Sequence, residues 1–174
     1  LLRQDFPADG RVLDMGCGSG VLGLTLAAER PGWSVTLADV SPDALALARE
    51  NAEKIGVSNV EWAEGDLFTA LDGGFDGIVA NLPYVPESER PTLSREVLHD
   101  PSLALFGGPD GLDVIRRFVP DAFARMRPGA WLALEIGHDQ ASQVAALLES
   151  SGFADVNVVT DLSGVDRFPT ARRP

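Results

Sequence analysis

An α/β fold built on a mostly parallel sheet is what this chain predicts, on three observations. Short apolar or β-branched runs alternate with segments of helical spacing, the pattern of strands linked by crossover helices. The first of these runs ends in a cluster of glycines directly before a helical segment. The last two runs are joined by a short turn containing Ser163 and Gly164, which confines antiparallel pairing to the C-terminal end.

Residues 11–15 (RVLDM) read as a strand and residues 21–29 (VLGLTLAAE) as a helix of good formers. Residues 34–38 (SVTLA) are β-branched and end at Asp39; Ser41 then caps a helix with Pro42 at its first position, running to about Ile55. Residues 60–63, 77–80 and 131–136 give three further strands, and residues 140–151 a helix closed by Gly152. Residues 155–159 and 167–171 are the closing hairpin. A helix starting near Gly111 runs past Pro120, where a missing N–H predicts a kink or a split. Residues 81–110 carry Pro83, Pro86, Pro91, Pro101 and Pro109 and show no clear element, which marks a functional loop.

A chain of 174 residues has the length of one domain with one core, here taken as a single catalytic domain over residues 1–174. No apolar run approaches the roughly 18 residues of a membrane span, so no membrane association is expected. The lone Cys17 forms no internal disulfide and leaves the cytoplasm as the default compartment. A formal net charge of −12 repels phosphate backbones, and stable nucleic-acid binding is not expected, although Arg167, Arg172 and Arg173 gather near the C-terminus. The chain opens at Leu1 without a methionine, as expected of a piece of a longer protein.

Two stretches carry chemistry. The first is Asp14-Met15-Gly16-Cys17-Gly18-Ser19-Gly20, where glycines allow a tight turn and close approach of a ligand to backbone N–H groups. Asp39, nineteen residues after Gly20, ends the second strand, where a carboxylate accepts hydrogen bonds from ribose hydroxyls. Gly18, Gly20 and Gly23 also satisfy the dinucleotide pattern GxGxxG, so a nicotinamide dehydrogenase shares this part of the signal. Asp66 can receive the exocyclic amine of an adenine, with Leu67 packing on its ring. Cys17 has no evident base beside it and reads as a small residue among glycines. His99 in the proline-rich segment is a weak candidate base; His138 reads as a surface or capping residue, and neither belongs to a metal-spacing motif.

The second stretch is Asn81-Leu82-Pro83-Tyr84 (NLPY) at the end of the fourth strand. An amide acceptor, a backbone carbonyl stiffened by the following proline, and an aromatic ring make an amino-group clamp: Asn81 Oδ1 and the Leu82 C=O accept the two N–H bonds of a planar NH₂, and Tyr84 covers it.

Asp14 with DxGxGxG, Asp39 and the GDL of residues 65–67 together resemble the S-adenosylmethionine site of Rossmann-like class I methyltransferases, a fold of seven strands with helices on both faces and a C-terminal hairpin. NLPY resembles the (N/D/S)PPY signature of methyltransferases acting on planar amino nitrogens. The runs EVLHDP (96–101), ALFGGPDGLD (104–113), LEIG (134–137) and DLSGVDR (161–167) look like the release-factor glutamine methyltransferases, the HemK or PrmC family.

That resemblance implies an enzyme that methylates N5 of a glutamine in the GGQ loop of a peptide chain release factor. Alternatives are a glutamine methyltransferase of a ribosomal protein, an adenine-N6 nucleic-acid enzyme, or a cofactor-binding domain without catalysis. It implies that Asp14, Gly16, Cys17, Gly18, Ser19, Gly20, Asp39, Asp66, Leu67 and Asn81 bind the cofactor. Asn81, Leu82, Pro83 and Tyr84 would hold the amide. Two departures are visible: leucine stands at Leu82 where the family has proline, and the family's helical N-terminal domain is absent.

Overall fold

The computed structural model describes residues 8–95, 97–99 and 101–174. Among them the order is β1 (Gly10–Met15), α1 (Val21–Glu29), β2 (Trp33–Asp39), α2 (Pro42–Ile55), β3 (Val60–Glu64), β4 (Phe75–Ala80), α3 (Ser102–Leu105), α4 (Asp113–Arg125), β5 (Met126–Leu134), α5 (Ala141–Ser150), β6 (Ala154–Thr160) and β7 (Asp166–Arg172). The strands form one seven-stranded sheet in the order β3-β2-β1-β4-β5-β7-β6. β1 pairs with β2 and β2 with β3 in parallel, whereas β7 runs antiparallel to both β5 and β6. The expected α/β sheet with a C-terminal antiparallel pair is present. No helix among the described residues is long and apolar enough to cross a membrane.

The chain groups into two compact units, one taking the described residues to Val79 with Arg125–Ala130, the other Ala80–Ala124 with Trp131–Pro174. In the first, β1 and β2 are buried along consecutive residues, Val12, Leu13, Val35 and Leu37 among them, as strands covered on both faces must be. α2 is bounded as its sequence dictates. Ser41 Oγ accepts from the Ala44 N–H at 3.2 Å, Pro42 occupies the first turn, and Gly56, left-handed at φ 79°, donates its N–H to the Ala52 carbonyl. α1 has no glycine to close it. Instead the Asn59 amide, arriving from the turn before β3, reaches the carbonyls of Ala27, Arg30 and Trp33 at 3.1, 3.3 and 2.8 Å.

The structure differs from the expectations in three places. Pro120 lies inside α4, which runs unsplit from Asp113 to Arg125. Both Pro120 and Arg116, whose carbonyl Pro120 cannot serve, lie on the exposed face open to solvent, while buried Ile115, Phe118, Val119 and Ala122 hold the other face. β5 runs from Met126 to Leu134 rather than over residues 131–136, with Arg127-Pro128-Gly129 an exposed stretch of strand and Gly129 at φ 80°. Residues 81–110 are not structureless. They contain short helical turns at Glu87–Thr92, Val97–His99 and α3, and Val85 forms a parallel bridge with Phe106. Glu96 and Asp100 of the run 96–101 lie outside the described residues.

The closing pair is irregular. Its register shifts between Ala154 and Asn157 and again between Val159 and Thr160, and Asp155 sits at φ 50°.

Replacing Asn59 by alanine should cost about 1 to 2 kcal/mol, since one side-chain amide serves carbonyls at the end of α1. Urea denaturation followed by circular dichroism measures it; a midpoint equal to that of the parent chain would show that water caps those carbonyls as well.

Candidate functional site

In the first unit, β1 runs into a turn fixed by one carbonyl. Ala38 O accepts both the Gly16 N–H at 2.8 Å and the Cys17 N–H at 3.0 Å, folding the chain back toward the end of β2. Gly16, Gly18 and Gly20 all have positive φ, at 69°, 54° and 82°. At Gly20 the need is doubled, because a Cβ would come within 3.0 to 3.1 Å of Leu24, Leu37 and Ala48. The Gly20 N–H returns to Cys17 O, and Asn51 of α2 donates to Ser19 O at 3.0 Å, so the loop is held from within and from α2.

Asp39 is bound to this loop. Its Oδ2 accepts the Gly18 N–H and its Oδ1 the Ser41 N–H, each at 2.9 Å. Each oxygen keeps a second acceptor site, so an oriented carboxylate remains for two donors such as a vicinal diol. The neighbouring Val40 is 45% exposed, an apolar surface beside that carboxylate which the sequence pattern does not single out. Space is open over Gly18, where a Cβ would meet nothing within 4 Å. Asp66 is exposed, and Leu67 follows it at φ 50°, a conformation costly for a branched side chain and found where the fold needs a particular direction. These residues fit a flat ligand that carries a diol.

Asp14 and Cys17 lie beneath the loop. Asp14 is 1% exposed; its Oδ2 accepts the Gly23 N–H at 2.7 Å, and its Oδ1 has no partner among the described residues. Burial raises its pKa from 3.8 to about 7; the Gly23 N–H opposes this and the charge of Asp39 adds to it. Asp14 therefore supports the loop from below. Burial, with the charges of Asp14 and Asp39, pushes the Cys17 thiol far up, so Cys17 is a packed small residue and no nucleophile.

In the second unit, β4 ends where the Glu135 N–H donates to Ala80 O at 2.9 Å, and NLPY comes next. Asn81 is exposed and its side chain makes no hydrogen bond among the described residues; the Leu82 side chain is buried at 5% exposure, and its carbonyl takes no backbone hydrogen bond there. The backbone after Leu82 is gripped by the run 104–113. Val85 N–H donates to Leu105 O, Gly107 N–H to Val85 O and Glu87 N–H to Gly108 O, at 2.9, 3.0 and 3.0 Å. A Cβ at Gly107 would collide with Pro83 O, and one at Gly111 with Tyr84 O. Two motifs far apart in sequence are thus one packed piece, and their glycines mark where backbone meets backbone.

Residues of this piece to which the sequence pattern assigns no role are Gln140, Glu135 and Arg167. Gln140, 3% exposed, donates to Tyr84 O at 2.8 Å and accepts from the Gly137 N–H at 2.8 Å. Tyr84 Oη donates to Glu135 Oε1 at 3.3 Å, and Arg167 lies beside them. Glu135 and Arg167 stand in the LEIG and DLSGVDR runs; Gln140 is readable only as the start of a helix. His99 and His138 are both exposed, and His138 joins Tyr84, Pro86, Glu89, Asp139 and Arg167 around a shallow depression.

The family model described as methyltransferase small domain matches residues 1–121. A release factor glutamine methyltransferase of Deinococcus radiodurans is 48% identical over 163 residues, covering 94% of this chain and 58% of that protein. One from Cereibacter sphaeroides is 46% identical over 165 residues, with 94% and 59% covered. This chain thus spans about three fifths of the length of these curated relatives. Among solved structures, a methyltransferase from Pyrococcus furiosus shares the fold at a TM-score of 0.74 and 18% identity, over 95% of this chain and 75% of that one.

The raised pKa of Asp14 has a sign. Between 3.8 and about 7 the folded chain keeps a proton that the unfolded chain releases, so this residue's contribution to stability falls as pH rises through that window. Asp14→Asn should flatten that part of the slope, leaving the variant gaining on the parent from pH 5 toward about 7. Urea midpoints of both proteins across the window decide it; parallel curves would mean that Asp14 is ionised in the folded state throughout.

Proposed function

Since the chain belongs to the methyltransferase small domain family, we propose that it holds S-adenosylmethionine at the glycine loop of its first unit. The methyl group would go to the side-chain amide nitrogen of a protein glutamine, with a peptide chain release factor as substrate. The observation that carries this reading is the pair of unspent acceptors after β4: the exposed Asn81 amide and the Leu82 carbonyl, on a backbone gripped by the run 104–113. The 48% identity to a release factor glutamine methyltransferase supports a glutamine amide over other planar amino groups. A net charge of −12 argues in the same direction against an adenine in RNA or DNA. A release factor is met in the cytoplasm, which is where we place the protein.

Bound cofactor supplies a methyl group on a positively charged sulfur. Asp39 would hold the ribose diol through the acceptor sites its two backbone bonds leave open, Leu67 and Val40 would offer apolar surface to the adenine, and Asp66 would take the adenine amine. An amide nitrogen is a poor nucleophile because its lone pair is delocalised into the carbonyl. Asn81 Oδ1 and the Leu82 carbonyl each accept one N–H of the target, which favours the geometry in which that lone pair is freed. Pro83 keeps Leu82 extended, so leucine in place of proline leaves the accepting carbonyl unchanged.

Asp39→Ala removes charge-assisted hydrogen bonds worth about 1.5 to 3 kcal/mol each and should weaken S-adenosylmethionine binding by at least tenfold in calorimetry. NADH should give no heat in the same cell, and tight binding of NADH would replace this reading with a dehydrogenase.

Asn81→Ala should lower single-turnover transfer to a release factor about 10² to 10³-fold at saturating cofactor, with a modest change in cofactor affinity. Labelled methyl transfer compared across a release factor, a ribosomal protein and rRNA tests the substrate directly. Transfer to rRNA alone would overturn it, and near-normal turnover of Asn81→Ala would remove the clamp.

A further inference from the structure

We propose that Glu135 is a positioning residue of the amide site, fixing the ring of Tyr84 by accepting the hydrogen bond of its phenol. This rests on the reading that residues 81–84 hold the substrate amide. Tyr84 is anchored at two points. Its carbonyl accepts from the buried Gln140 amide at 2.8 Å, which fixes the backbone and leaves the side-chain torsions free. Its hydroxyl donates to Glu135 Oε1 at 3.3 Å, which fixes the far end of the ring. With both ends tied, the ring has one orientation, and an aromatic face held still is what a planar amide can pack against.

Glu135 is itself held. It comes directly after β5, and its N–H donates to Ala80 O, the last carbonyl of β4. The strand end that delivers Asn81 and the carboxylate that steadies Tyr84 are therefore set by one backbone bond. Arg167 stands against the same phenol, donates to Ile136 O at 3.0 Å and lies 3.7 Å from Asp161, so its positive charge is shared between the phenol and other acceptors. Burial, with the negative charge of Glu135, raises the phenol pKa against the opposing pull of Arg167, which keeps the hydroxyl protonated and a donor. Glu89, His138 and Asp139 line the adjoining depression and are the other charged or titratable groups on that side.

Tyr84 is the sole tyrosine of the chain, so its phenol can be titrated without interference from another. Glu135→Gln keeps an acceptor and removes the charge; Glu135→Leu removes both. Methyl transfer to a release factor should be largely retained in Glu135→Gln and fall about tenfold in kcat in Glu135→Leu, with cofactor affinity unchanged. Tyr84→Phe should lose at least as much as Glu135→Leu, and the double variant no more than Tyr84→Phe alone, because the phenol carries the bond that Glu135 accepts. In ultraviolet difference titration the phenol pKa of Glu135→Gln should lie below that of the parent. Additive losses in the double variant, or a phenol that titrates identically in the parent and Glu135→Gln, would overturn the proposal. If the parent chain transfers no methyl group to any glutamine substrate, the functional reading fails, and the titration still decides whether Glu135 holds the phenol.

Discussion

Two carbonyls near strand ends organise the backbone of both loops, that of Ala38, one residue before the end of β2, and that of Ala80, the last of β4. Ala38 O takes two N–H groups, from Gly16 and Cys17, and thereby turns the end of β1 over the end of β2. Without that shared acceptor, Gly18 would not be delivered to the Asp39 carboxylate, and the loop would lose the bond that joins it to the next strand. Ala80 O plays the same part in the other unit, where the Glu135 N–H ties β4 to the residue after β5 just before the NLPY backbone departs. In both places function begins one residue beyond a ladder bond, where the backbone is still rigid and its polar groups are newly available.

The sequence announces these places unequally, and the inequality has physical causes. Helix α2 is legible to the residue because its bounds are local chemistry: Ser41, Pro42 and Gly56 act on their own neighbours. The glycine loop is legible because positive φ selects glycine almost regardless of context. Gln140 is not, since its work is done on Tyr84, 56 residues away, and no local pattern distinguishes an amide that satisfies a distant carbonyl from one that faces water. Pro120 is a different case, since the helix it is expected to kink or split runs unsplit. A local rule is correct about the missing bond, and the exposure of the Arg116 turn decides what that bond is worth. The glycines at 107 and 111 belong to a recognisable motif, and only the structure shows their reason, the backbone of Pro83 and Tyr84 against them.

Burial also sorts the ionisable groups of the first unit into two classes. Asp39 stays half-buried with both oxygens engaged by backbone N–H groups, a carboxylate ready to meet hydroxyl donors. Asp14, nine residues from the Gly23 N–H it accepts, sits under the loop with its other oxygen unpartnered and is driven toward the neutral acid. Burial is the largest cause of the Asp14 shift, with the Asp39 charge adding to it and the Gly23 N–H opposing it.

β6 ends the sheet and so presents one flank with no strand beside it. Two register shifts and the left-handed Asp155 break the regular row of N–H and C=O groups on that flank, and a broken row is a poor template for another copy of the chain. The hairpin tip places Leu162 fully in solvent, an apolar point that a straight edge strand would turn into a nucleus for fibrous assembly. The irregular pairing that looks like a defect in the sheet makes that edge a poor place for a further strand to add.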